Sequence, residues 1–138
     1  MVYNMHERLI PASPERVWDL LAGLGGEGDR LWPQEKGRFR LPEGVRVGAL
    51  VEHGPMRYRV GAVEPCRRLW FDTREMTGGH GFTLHPAEGG TLVRHEITGR
   101  TTGLFRLLWP VLIRRQHDAV LERLLDNLER EAGRAVAG

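Results

Sequence analysis

The stretch Ile10-Pro-Ala-Ser-Pro-Glu-Arg-Val-Trp18 decides how the chain reads. Ser13 followed by Pro14 is a strong helix start, with serine as the N-cap and proline at the first helical position. Glu15 suits the positive end of that helix. Val17, Trp18, Leu21 and Leu24 recur at helical spacing, so one face is buried. On the other side, residues 2–10 read as a strand that Pro11 ends. Gly23, Gly25, Gly26 and Gly28 end the helix, and a second short helical turn is expected from Glu27 to Leu31, stopped by Pro33.

Beyond this unit, residues 37–102 alternate short β-rich runs with turn signals such as Pro42-Glu43-Gly44, His53-Gly54-Pro55 and Gly89-Gly90. That texture predicts an antiparallel meander, with its best strands at Arg57–Glu64, Arg68–Glu75, Gly81–His85 and Thr91–Arg100. From Leu104 to Arg134 the period changes to helical. Ile113, His117, Val120, Leu124 and Leu128 form one stripe, widened by Leu121 and Leu125. Asp126 and Arg130 make a favourable i,i+4 pair. Pro110 starts or kinks this helix, and Gly133 lies where it would be capped. An apolar sheet face and an apolar helix stripe must cover each other. The expected fold is α+β: one domain over residues 1–138, with two short helices after the first strand. Its curved antiparallel sheet wraps a long C-terminal helix, about 104–133, and leaves a cavity between them.

These features resemble the SRPBCC helix-grip superfamily, which contains START domains, birch-pollen-type allergens and polyketide cyclase/dehydrase-like proteins. The resemblance covers about residues 2–132. It rests on Ile10 to Trp18, the Glu64-Pro-Cys-Arg-Arg-Leu69 turn, Gly90-Thr91 and the C-terminal amphipathic helix. His53-Gly-Pro-Met-Arg-Tyr58 and Gly79-His-Gly-Phe82 are similar to bacterial members. The resemblance implies a hydrophobic pocket for a lipid, a polyketide or another small apolar molecule. In some members it implies cyclase or hydrolytic chemistry.

Composition narrows the function. The 138 residues hold 20 Lys+Arg against 18 Asp+Glu, a net charge of +2. Lys36 is the only lysine, yet the charges are spread evenly and no basic block marks a nucleic-acid binder. Leu107 to Ile113 is the longest apolar run, interrupted by Pro110 and too short for a membrane span. The stretch Leu107–Trp109 is a candidate gate or homodimer contact. No apolar leader is visible at the N-terminus, and a cytoplasmic location is expected. Cys66 is alone, so neither an internal disulfide nor a cysteine-based zinc site can form. No H-x-H, H-x3-H or HExxH spacing occurs, and no metal or cofactor is expected. Gly23-Leu-Gly-Gly-Glu-Gly28 matches G-x-G-x-x-G, but a helix precedes it where a dinucleotide site needs a strand.

Strand parity gives the candidate pocket. Tyr58, Val60 and Ala62 share one face, with Arg57 and Arg59 on the other. Leu69 and Phe71 point inward, leaving Trp70 and Asp72 outside. His80, Phe82 and Leu84 share a face, as do Val93, His95 and Ile97, and Val51 and His53. His117 falls in the helix stripe, and the resemblance implies a lid at Trp32. The candidate ligand pocket is therefore Trp32, Val51, His53, Tyr58, Val60, Phe71, His80, Phe82, His95 and His117. Histidine is the usual acid or base near neutral pH, and an apolar cavity with a few polar groups is a common binding site. The only serine, Ser13, is the helix cap, so a Ser/His/Asp triad is excluded. No catalytic residue is assigned. The leading expectation is a carrier or sensor of a small hydrophobic or amphipathic molecule. The alternatives are a cyclase/dehydrase-type enzyme using a pocket histidine with Tyr58, and a chaperone-linked protein-interaction module.

Overall fold

A computed structural model describes residues 2–73, 78–100 and 103–134. The strands are β1 (Val2–Ile10), β2 (Phe39–Arg40), β3 (Leu50–His53), β4 (Met56–Glu64), β5 (Arg68–Asp72), β6 (Gly79–Ala87) and β7 (Gly90–Gly99). They form one antiparallel sheet in the order β1-β7-β6-β5-β4-β3-β2. The helices are α1 (Pro14–Leu21), α2 (Gly103–Leu108) and α3 (Arg114–Ala132). The sheet curls around α3 as a half-barrel, which is the helix-grip α+β fold. Leu121, Leu124, Leu125 and Leu128 of α3 enter one core with Leu69, Phe71, Phe82 and Val93 of the sheet.

The opening motif folds as its residues dictate. Ser13 Oγ accepts the Arg16 backbone N–H at 3.2 Å, and Pro14 begins α1. The buried Thr91 hydroxyl donates to the Ala12 carbonyl at 2.7 Å, pinning the start of α1 to β7. Gly90 makes that approach possible: a Cβ there would stand 2.0 Å from the Ile10 carbonyl oxygen. The Gly-Thr pair at the head of β7 is thus a packing requirement of the β1–α1 corner.

Two local expectations are corrected. The helical turn at Glu27–Leu31 does not form. Instead the Asp29 carboxylate accepts from the backbone N–H groups of Gly25, Leu31 and Trp32 at 2.9, 2.8 and 3.2 Å. A side chain that captures backbone donors competes with helix. The second short helical piece is a 3-10 turn at Gln34–Lys36. In β4 a bulge between Val60 and Ala62 shifts the register. Past it Val63, not Ala62, packs on the core, as an inserted residue requires. At Pro110, where a start or a kink is expected, the long helix changes its winding. Trp109–Ile113 is a π-helical segment between α2 and α3. Pro110 has no N–H to close the ordinary i→i−4 bond, and the widened turn accommodates the loss.

Strand limits shift by small steps. β5 ends at Asp72, and Glu75 lies outside the described residues. β6 is longer than expected at both ends. Gly133 caps α3, its N–H meeting the Glu129 carbonyl at 3.1 Å, but in right-handed backbone at φ −80°. Among the described residues, no helix is long and apolar enough to cross a membrane.

Candidate functional site

Inward-facing side chains of β3 to β7 and the facing side of α3 enclose a cavity of about 380 Å³. Register sets the neighbours: Val51 opposes Tyr58, Val60 opposes Phe71, Phe71 opposes His80, and Phe82 opposes His95. Of the residues read from parity, Trp32, His53, Tyr58, Phe71, His80, Phe82, His95 and His117 border the cavity. Val51 and Val60 do not. Both are sealed in the core, at 0% and 2% exposure. Alternation sends them to the concave face, but the sheet's curl packs them under other side chains.

Trp32 stacks on Phe39 with ring centroids 4.4 Å apart, and its indole N–H donates to the Gly37 carbonyl at 2.7 Å. Exposed Lys36, Gly37, Gly54, Pro55 and Gln116 also border the space, so its mouth lies between the 34–37 turn, the β3–β4 hairpin and the first turn of α3. Sequence reasoning missed Phe39, Lys36, Trp109 and Gln116. Phe39 is in a two-residue strand too short to show alternation, and the mouth assembles loops far apart in the chain.

The polar wall is a line of rings. His53 Nδ1 and the Tyr58 hydroxyl are hydrogen-bonded at 3.0 Å. From Tyr58 the centroids run 5.1 Å to His80, 5.8 Å to His95 and 5.2 Å to His117. Burial lowers His53 from its ordinary 6.5 to about 4. It lowers His80 to about 3, helped by repulsion from His117 and His53. His80 keeps some accessible surface, but that surface faces the cavity. His95, only 3% exposed, is held well below 6.5 by burial and by its histidine neighbours. Burial and His6 bring His117 to about 4 against the opposing pull of Asp118. All four are therefore neutral imidazoles at pH 7, each with one donor and one acceptor. Burial raises the Tyr58 phenol well above its usual range, so it stays protonated. Two ring nitrogens, His95 Nδ1 and His117 Nε2, are buried with no hydrogen-bond partner among the described residues.

No aspartate or glutamate borders the cavity among the described residues. Cys66 sits in the Glu64–Arg67 turn with φ of 65°, away from the cavity wall. The acids gather elsewhere. Asn4, His6 and Arg8 form the inward face of β1 and meet the acidic side of α3. His6 Nε2 lies 2.8 Å from Asp118 Oδ1, and His6 Nδ1 lies 2.6 Å from Glu122 Oε2. Arg8 bridges Glu122, Asp126 and Glu129. Burial works to raise the Asp118 carboxyl, but hydrogen bonds from His6 and Asn4 outweigh it and hold it low. One donor atom each from His6, His117 and Asp118 falls within 4.8 Å of the others, the one such group with metal-ligand chemistry among the described residues.

Known proteins fit this picture. Protein CV1439 from Chromobacterium violaceum superposes with a TM-score of 0.69 at 17% identity, covering 98% of this chain and 100% of that one. Protein BH1534 from Bacillus halodurans gives 0.69 at 20% identity, covering 96% and 97%. Ara h 8.0201 gives 0.66 at 15% identity, covering 95% and 97%. At such identities the likeness concerns the fold. No curated protein matches the sequence. The sequence model of one family, described as polyketide cyclase / dehydrase and lipid transport, matches residues 5–133. That span runs from β1 to the end of α3 and takes in every residue bordering the cavity, so the chain belongs to the polyketide cyclase / dehydrase and lipid transport family.

Proposed function

We propose that the protein holds one small hydrophobic or amphipathic molecule between the sheet and α3, as a carrier or sensor. The observation that carries this reading is a space of about 380 Å³ with a mouth to solvent, bounded mostly by apolar side chains, with a line of neutral rings inside and Lys36 and Gln116 at the rim. That size lies within the usual range for small-molecule sites. The apolar walls favour a carbon skeleton by the ordinary burial of apolar surface. The bare nitrogens of His95 and His117 favour a ligand whose hydroxyl or carbonyl reaches them. An orphaned buried polar atom costs about 1–3 kcal/mol, which such a group would relieve. Exposed Lys36 at the mouth suits a polar or anionic head.

The cyclase/dehydrase reading is favoured by one contact, the hydrogen bond between His53 and Tyr58. Against it, the phenol is a weak proton donor in this setting, and no carboxylate among the described residues borders the space to orient a histidine. Carriage is the better-supported role.

Native mass spectrometry of the protein purified from its own host separates the two. An intact molecule that co-purifies and is exchanged unchanged for a fluorescent fatty acid supports carriage. Conversion of an added aromatic polyketide supports the enzyme. If no apolar probe binds or raises the melting temperature, the cavity is not a ligand site.

A further inference from the structure

We propose that His6, His117 and Asp118 form a binding site for a divalent transition-metal ion of the zinc type, where β1 meets α3. The three donors already stand within 4.8 Å of one another. Around a tetrahedral ion at 2.0–2.1 Å, donor atoms stand about 3.4 Å apart, so closing the site takes about an ångström of side-chain rotation. Imidazole and carboxylate together suit zinc and its neighbours in the first transition row.

Three independent features point to an ion. First, His117 Nε2 is sealed from solvent with no partner, the condition of a ligand atom waiting for something to bind. Second, carboxylates gather around the three donors. Asp118, Glu122, Asp126 and Glu129 all reach His6 or Arg8. Among the described residues, Arg8 and Arg114 are the arginines within 4 Å of these four carboxylates, and His6 stands between Asp118 and Glu122, so the surroundings are acidic and attract a dication. Third, the supporting groups are already built. An ion would replace the 2.8 Å contact between His6 Nε2 and Asp118, and His6 Nδ1, 2.6 Å from Glu122, would then carry the proton and donate to it. Asn4 Nδ2 donates to Asp118 Oδ1 at 3.0 Å. Outer partners of this kind orient metal ligands and fix their tautomers.

The donors stand on a strand and a helix, which are rigid platforms. His117 also borders the cavity, so the ion would sit in the cavity's wall. The site needs no organic ligand, but an ion on His117 Nε2 leaves His95 Nδ1 as the unpartnered ring nitrogen open to the cavity ligand. A search by sequence spacing misses it because His6 and His117 are 111 residues apart.

The test is calorimetric titration of the metal-stripped protein with Zn²⁺. The expected result is one ion per chain at micromolar affinity or tighter. His6→Ala and Asp118→Asn should each weaken it by about tenfold or more. His85→Ala, on an exposed histidine hydrogen-bonded to Thr83 and outside the site, should leave it unchanged. Absence of saturable one-to-one binding overturns the proposal, as does full binding in both variants. Should the variants not fold, ring-nitrogen NMR of the wild type decides. Zn²⁺ must then move the His6 and His117 signals; movement of His53 and His80 alone refutes the site.

Discussion

At the residue scale, the cavity histidines dominate. His53 and His80 titrate near 4 and 3 in the folded state, against 6.5 when unfolded. Above pH 6.5 both states are neutral and nothing depends on pH. Below it the unfolded chain takes up protons that the folded one refuses, so stability falls as pH drops from 6.5 towards 4. The slope approaches about 1.4 kcal/mol per pH unit for each histidine. Thermal melts at a series of pH values should show this acid loss, and His80→Leu should flatten it while leaving pH 7.5 stability equal or higher. A variant that melts with the wild-type slope would show that His80 is not buried neutral. Tyr58→Phe strips His53 of its 3.0 Å partner and should cost about 1 kcal/mol in urea unfolding.

At the element scale, corners and seams matter more than single strands. Gly90→Ala places a methyl group 2.0 Å from the Ile10 carbonyl and forces β1 away from β7. We expect a loss of roughly 2–4 kcal/mol, read as a lower urea midpoint. The seam between β1 and α3 behaves differently. Arg8 spans three carboxylates, but each of these is half or more exposed. Arg8→Ala should therefore cost only about 1 kcal/mol at low salt, and less in 1 M salt. A salt-independent loss would assign Arg8's contribution to packing of its stem. The elements themselves were legible where one signal ruled. Ser13-Pro14 set α1, and alternation set the inward faces of β5, β6 and β7. Legibility failed where a side chain or an inserted residue overrode the pattern, as at Asp29 and the Val60–Ala62 bulge, whereas the irregularity at Pro110 was foreseen. The acidic side of α3 reads as solvated surface, because nothing local in the sequence shows that β1 brings His6 and Arg8 to it.

At the scale of the whole molecule, the sequence told of a space but not of its mouth or depth. Parity chose residues on the correct face. It had no means to separate Val51 and Val60, covered in the core, from His53 and Tyr58, which border the void. That difference is a matter of sheet curvature, which no single strand encodes. Filling the void tests its importance. Val120 of α3 borders the cavity and is 8% exposed. Val120→Phe should reduce affinity for a fluorescent fatty acid by about tenfold while the melting temperature stays within a few degrees, because the added ring enters empty space. Unchanged affinity would place the probe elsewhere.

The pairing of β1 with β7 has a kinetic side. Ile10 finds Thr91 and Val2 finds Gly99, so the innermost pair closes a loop of 80 residues. Contacts this far apart along the chain form late and slow folding. During synthesis β1 leaves the ribosome first and waits for its neighbour, while β2 to β7 can zip up hairpin by hairpin. In that interval the outer edge of β7 is an open template. A second copy's β1 fits that edge as well as the chain's own, so strand exchange between molecules is the misassembly to which this topology is prone at high concentration.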